Sequence, residues 1–183
     1  PLMNGHAYLG TEKWTSAELF IKGERFPDEQ VKYNLYSDQL ILKFLDKSGI
    51  QKAVVLDNQL VDSLRINGHL LISALQLEKT SFEKKFAEQI SAGNLHYFIT
   101  YHKDYIRRYS DINPYGKYSD VKKGKYLLKN EQFLKVTGRR HFLKANQDNK
   151  KEIRRFLRKN NIRYRKAETS EIKKIMEFCN ELD

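Results

Sequence analysis

The stretch "LRINGHLLI", Leu64–Ile72, sets Asn67-Gly68 between two apolar runs, and its reading decides the fold. A two-residue connection between antiparallel strands favours the type I′ turn, which needs positive φ at both central positions. Asn and Gly are the residues that accept that geometry most cheaply, so the stretch is expected to be a tight β-hairpin.

The same grammar extends upstream. In "VKYNLY", Val31, Tyr33 and Leu35 alternate with Lys32, Asn34 and Tyr36, the period of a half-buried strand. Ser37-Asp38 turns the chain into "QLILKFL", where Leu40, Leu42 and Phe44 share a face, and Asp46-Lys47-Ser48-Gly49 turns it again into "IQKAVVL". Successive short hairpins imply an antiparallel meander rather than βαβ units. Residues 80–92 fit two readings. Thr80 and Glu83 have capping-box spacing with Phe82, Phe86 and Ile90 at helical intervals, but a strand from Phe86 to a turn at Gly93-Asn94 fits equally.

Downstream, Tyr97, Tyr101, Tyr105 and Tyr109 recur every fourth residue, Asn113-Pro114-Tyr115-Gly116 is a turn, and "GKYLLKNEQFLKV" is a hairpin centred on Asn130-Glu131. From Asn146 the pattern becomes helical, with one stripe of Ile153, Phe156 and Leu157 and a second of Ile172, Ile175, Met176 and Cys179; Thr169 or Ser170 can cap the second helix. The expected fold is mainly β (α+β): an antiparallel meander curled as a sandwich or open barrel over residues 1–145. Two C-terminal α-helices, residues 146–183, would pack on it as one structural unit. Tyrosine (11) and phenylalanine (10) supply much of the apolar bulk, which suits strands.

The net charge of +11 is unevenly placed. Residues 1–100 carry 11 basic and 12 acidic side chains, residues 101–166 carry 21 and 6, and residues 167–183 carry 2 and 5. "KKEIRRFLRKNNIRYRK", Lys150–Lys166, holds nine cations and only Glu152 against them. Its apolar stripe is explained by packing; its charge excess is not, because a solvated helix usually mixes signs at i,i+4 spacing. The acids of the last helix, Glu168, Glu171, Glu177 and Glu181, are placed to neutralise part of it. Arg107, Arg108, Arg154, Arg155, Arg158, Arg163 and Arg165 are the candidates for holding a polyanion. Tyr97, Tyr101 and Tyr105, interleaved with cations, are candidates for stacking on bases; the competing reading puts the tyrosine face against the core.

Catalytic signals are sparse. Cys179, the single cysteine, excludes an internal disulfide and a cysteine-based zinc cage, and its place in an apolar stripe suits a small buried hydrophobe. His96, His102 and Asp104 would share a strand face, but no further metal ligand falls at a defined spacing. Acid pairs such as Glu83 with Glu88 and Asp57 with Asp62 have no spacing that defines a reaction. No phosphate-binding glycine loop, zinc-protease or nucleophile-elbow motif occurs, no run reaches the length of a membrane-spanning helix, and no cofactor or metal is implied.

Three segments carry a resemblance: "NGHAYLGTEKW" leading to "VKYNLYSDQLIL", "FAEQISAGNLHYFITYHKDY", and "NPYGKYSDVKKGKYLLKNEQFLKV" running into "KKEIRRFLRKNNIRYRKAE". Together they resemble an uncharacterised family of exported, signal-peptide-bearing proteins of Bacteroidota. The resemblance implies a removed signal peptide, an extracytoplasmic location in the periplasm or cell envelope, and a strand at Phe86 to Ser91; it implies no activity or ligand. A chain beginning at Pro1 suits a processed N-terminus. The first expected function is therefore a non-catalytic exported envelope protein that binds or scaffolds, its cations meeting an anionic envelope polymer or lipid headgroups. The alternatives are a nucleic-acid-binding module using the Tyr/Arg surface, and a hydrolase with a site assembled from scattered acids and histidines.

Overall fold

The computed structural model describes residues 5–77, 83–107, 109 and 115–182. The chain is mainly antiparallel β. The N-terminal strands are β1 (Thr15–Ile21), β2 (Glu24–Asn34), β3 (Gln39–Leu45), β4 (Gln51–Val55), β5 (Val61–Ile66) and β6 (His69–Ser73). They are followed by β7 (Phe86–Ser91), β8 (His96–His102), β9 (Tyr105–Ile106), β10 (Lys117–Tyr118), β11 (Lys122–Lys129) and β12 (Gln132–Lys135). Among the described residues three α-helices follow: α1 (Arg139–Ala145), α2 (Lys150–Lys159) and α3 (Thr169–Leu182). Ten strands hydrogen-bond in the linear order β12-β11-β8-β7-β6-β5-β1-β2-β3-β4, and β9 pairs with β10 separately.

The turns form where the sequence places them. Asn67 (φ 51°) and Gly68 (φ 78°) join β5 to β6 with Ile66 opposite His69. Lys22-Gly23 and Asn130-Glu131 repeat the two positive φ values between β1 and β2 and between β11 and β12. Asp46 Oδ1 accepts the Ser48 and Ile50 N–H groups and so holds the β3–β4 turn. The alternative at residues 80–92 resolves to a strand from Phe86; the proposed cap at Thr80 and the Asn113-Pro114 turn lie outside the described residues. Not every hairpin is followed by its neighbour in the sheet. After β4 the chain returns to pair β5 with the far edge of β1, in a register from Ala17 opposite Ile66 to Ile21 opposite Val61.

Contacts divide the chain into two compact units. One contains β1 to β6, Phe86 and Ala87, and the described residues of Tyr101–Lys123. In it Leu19, Val31, Leu40, Leu64 and Leu71 are fully buried, each stabilising the fold by about 1.5–3 kcal/mol. Tyr33 packs edge-on against Phe86 with centroids 5.6 Å apart. Its hydroxyl donates to Asp38 Oδ1, while Oδ2 of the same carboxylate accepts the Lys85 N–H at 2.9 Å. Burial, reinforced by the Asp38 charge and this hydrogen bond, keeps the Tyr33 hydroxyl protonated far above the usual phenol range. Tyr33→Phe leaves a buried carboxylate one donor short and is expected to lower unfolding stability by about 2 kcal/mol, read from a urea midpoint. An unchanged midpoint would show that water replaces the hydroxyl.

The other unit contains residues 88–100 and 124–182. Tyr97, Phe98, Leu127, Phe142, Ile153, Ile175 and Met176 form its core. Phe142 stacks on Tyr164 at 4.9 Å and Phe156 on Phe178 at 4.2 Å. The Ile153–Leu157 stripe is buried, with Phe156 half-buried, and Cys179 is a buried thiol in the α3 stripe. Glu168 N–H donates to Glu171 Oε2, so the first turn of α3 is held by Glu171 rather than by a Thr169 or Ser170 side chain. Asn180 near the end of α3 accepts the Leu95 N–H (2.8 Å) and donates to the Leu95 carbonyl (3.2 Å), clasping the β7–β8 connection. Helix begins earlier than the expected Asn146: α1 starts at Arg139, because Phe142 and Leu143 both find burial on one side of a short helix.

Candidate anion-binding groove

The α1–α2 pair turns the basic composition into a site. On α2, Lys150, Arg154 and Arg158 are spaced by four residues, so they lie along one face beside the buried Ile153 and Leu157. On α1, burial of Phe142 and Leu143 leaves Arg139, Arg140 and Lys144 exposed. Between these helices lies a groove of about 1090 Å³, lined by those six cations together with His141, Gln147 and Leu143. Among the described residues no carboxylate lines it. A shallower recess of about 460 Å³ is lined by Arg139, Arg158, Arg163, Leu157, Asn161 and Ile162.

Among the described residues no ion pair joins the α3 acids to the α2 cations. A cationic groove attracts anions, and guanidinium forks match the paired oxygens of phosphate and sulfate. Such groups are what the site can hold; His141 in its lining is hydrogen-bonded through Nδ1 to the Thr137 hydroxyl at 2.7 Å.

The structure sorts the residues marked in the sequence. Arg154 and Arg158 line the groove, and Arg163 lines the adjoining recess. Arg155 and Arg165 are exposed but line neither, and Arg107 is exposed in the first unit beside β9. Arg108 lies outside the described residues. The tyrosine row is not a stacking surface at its N-terminal end. Tyr97 and Tyr101 are 0% and 4% exposed, so neither ring can receive a base without unpacking a core. Tyr97 shares a 3.0 Å hydroxyl contact with Tyr164, and Tyr101 meets the His69 ring edge-on. Tyr105 is half-buried, with its ring beside Tyr36 and Tyr118 and its hydroxyl donating to the Tyr115 carbonyl. Arg139, Arg140 and Lys144 were not singled out in the sequence, whereas Lys150 opens the quoted basic stretch; the signal was the "GRR" start and the four-residue spacing from Lys150.

The histidine set separates. His102 Nε2 donates to Asp104 Oδ1 at 2.6 Å, and Lys84 Nζ donates to His102 Nδ1 at 3.2 Å, so both ring nitrogens are engaged. Asp104 also pairs with Lys122, and Lys122 first, then His102, hold its carboxyl below the usual carboxylate range. His96 belongs to the other unit, stacked on Phe98 and paired with Gln89. Among the described residues no group of three metal-ligating side chains converges. Asp62 is engaged by Gly23 N–H and the Gln76 amide, and Asp57 accepts the Gln59 N–H, which makes that acid pair structural. Because the folded Asp104 pKa lies below the unfolded value, its contribution is present above about pH 4 and is lost as pH falls through the folded value. Asp104→Asn is expected to reduce the acid dependence of unfolding, followed by circular dichroism across pH 2–5, and an identical acid profile would show the triad to be solvent-screened.

No family model matches the chain, and no curated protein or solved structure matches it. The fold and site thus define a mainly antiparallel β protein with a cationic helical groove. No helix among the described residues is long and apolar enough to cross a membrane.

Proposed function

We propose that the protein is a non-catalytic binding or scaffolding component that engages an anionic polymer through the α1–α2 groove. The observation that carries this reading is the convergence of six Lys and Arg side chains on one groove, with no acid among its described lining residues. Placement in the cell envelope belongs to the same proposal and rests on the resemblance to exported proteins; fractionation of source cells tests it, and recovery with the cytoplasm would overturn that part alone.

Binding is tested by fluorescence anisotropy with labelled heparin and a labelled single-stranded oligonucleotide across a salt series. Engagement of all six cations predicts a log–log slope of about −4 for the oligonucleotide, at roughly 0.7 per neutralised phosphate. Comparable affinity for heparin supports a charge-reading site. A preference for the oligonucleotide that survives high salt and is lost in Tyr105→Ala would instead favour the nucleic-acid reading, since stacking is less salt-sensitive than ion pairing. No binding to either polymer at low salt would overturn the proposal.

A further inference from the structure

We propose that β4 is a self-association edge: two copies of the chain pair β4 against β4, antiparallel, about a two-fold axis at Ala53. The first support is what β4 leaves unpaired. It ends the sheet order, all five of its residues are exposed, and its one described pairing is with β3. Asp46 N–H donates to the Ile50 carbonyl and Leu56 N–H to the Leu40 carbonyl, each at 2.9 Å. Antiparallel pairs alternate between hydrogen-bonded and non-bonded positions, so residues 50, 52, 54 and 56 face β3. The N–H and C=O groups of Gln51, Ala53 and Val55 therefore point away from it. Among the described residues they form an unpaired row with Ala53 at its centre.

The second support is self-complementarity. A row symmetric about one residue is what an isologous two-fold interface needs. With the axis at Ala53, Gln51 meets Val55 of the second copy and Ala53 meets Ala53. Lys52, the one charge on the strand, falls opposite Val54 rather than opposite itself, which avoids the penalty of facing like charges. Exposed apolar side chains follow the same hairpin: Leu45 (70% exposed), Ile50 (58%), Val55 (49%) and Val54 (44%). In this register Ile50 of the second copy comes opposite Leu56, so the apolar residues meet one another.

The third support is the sparseness of edge protection. Proteins blunt free edges with lysines, proline, bulges or brevity. The strand at the other end of the order, β12, has four residues, ends in Lys135 and follows Lys129. β4 has one lysine, Lys52, whose ammonium is paired with Asp46 at 2.6 Å, and it has neither proline nor a register shift.

Sedimentation velocity across a concentration series is expected to show twice the 21.7 kDa chain mass. Ala53→Pro removes an outward N–H that β3 does not use, and is expected to leave the circular dichroism unchanged while giving monomer. A residue on a two-fold axis meets its own copy, so Ala53→Lys and Ala53→Glu should each be monomeric alone and associate when mixed. A wild-type chain that stays monomeric overturns the proposal and leaves the edge to a strand of another polypeptide. A dimer that survives both Ala53→Lys and Ala53→Glu places the interface elsewhere and overturns it as well.

Discussion

Replacing Arg140, Arg154 and Arg158 together by Glu is expected to lower affinity for heparin and for a single-stranded oligonucleotide by at least about 100-fold at 0.1 M salt. The magnitude follows from counterion release. At a slope of about 0.7 per contact, each neutralised phosphate contributes roughly 1 kcal/mol at that salt concentration, so three lost contacts remove about 3 kcal/mol before any repulsion is added. The salt slope should shrink by about 2 in the same variant. All three side chains are exposed on helices whose buried faces are Phe142, Leu143, Ile153 and Leu157, so the substitutions leave the core intact and melting should be nearly unchanged. The control is Arg107→Glu with Arg165→Glu, both outside the groove. A loss of affinity equal to that of the groove variant would mean that net charge, not the groove, governs binding.

Alkali should unfold the protein from its tyrosine core outward. Tyr97 and Tyr164 share a hydroxyl contact inside the second unit, and burial pushes Tyr97 up to about 12 and Tyr164 well above the ordinary phenol range. Both folded values lie above the unfolded value of about 10, so their contribution is complete below pH 10 and is lost as pH rises through the folded value. For Tyr97 alone the shift corresponds to about 3 kcal/mol between pH 10 and pH 12, a large share of the stability of a typical domain. Tyrosinate absorbance should show a late, cooperative component that coincides with loss of circular dichroism. Tyr97→Phe keeps the ring, removes one ionisation and is expected to move the alkaline midpoint upward. Titration of every tyrosine near pH 10 with the fold intact would show that water reaches the pair.

Local chemistry was legible in the sequence where it is local in cause. Asn67-Gly68, Asp46–Gly49 and Asn130-Glu131 announce their turns because positive φ and carboxylate-capped turns depend on a few adjacent residues. Val31, Tyr33 and Leu35 announce a buried face because alternation is built into a strand. The return of β5 to β1 left no such mark, since the pairing of Ile66 with Ala17 is decided by which edge is free once β4 has been laid down. Phe44 shows the same limit: its alternation with Leu40 and Leu42 fits burial, yet it lies near the sheet's end, where no further strand is described to cover it. The tyrosine row was correctly placed on one face at Tyr97 and Tyr101, but whether that face is wet depends on neighbours remote in sequence. The groove was half legible for a similar reason. Arg154 and Arg158 stand out on one helix, whereas Arg139, Arg140 and Lys144 become partners only when Asn146 to Asn149 fold α1 against α2.

The Asn180 clasp on Leu95 has a consequence for biosynthesis. The two residues are 85 positions apart, so a ribosome adding about 5–20 residues per second delivers Asn180 roughly 4–17 s after Leu95. During that interval the β7–β8 connection exists as nascent chain with its Leu95 amide and carbonyl lacking their final partner, and the second unit cannot be completed. A holding chaperone therefore has a defined time window in which to act on this protein, one that closes when the last helix arrives.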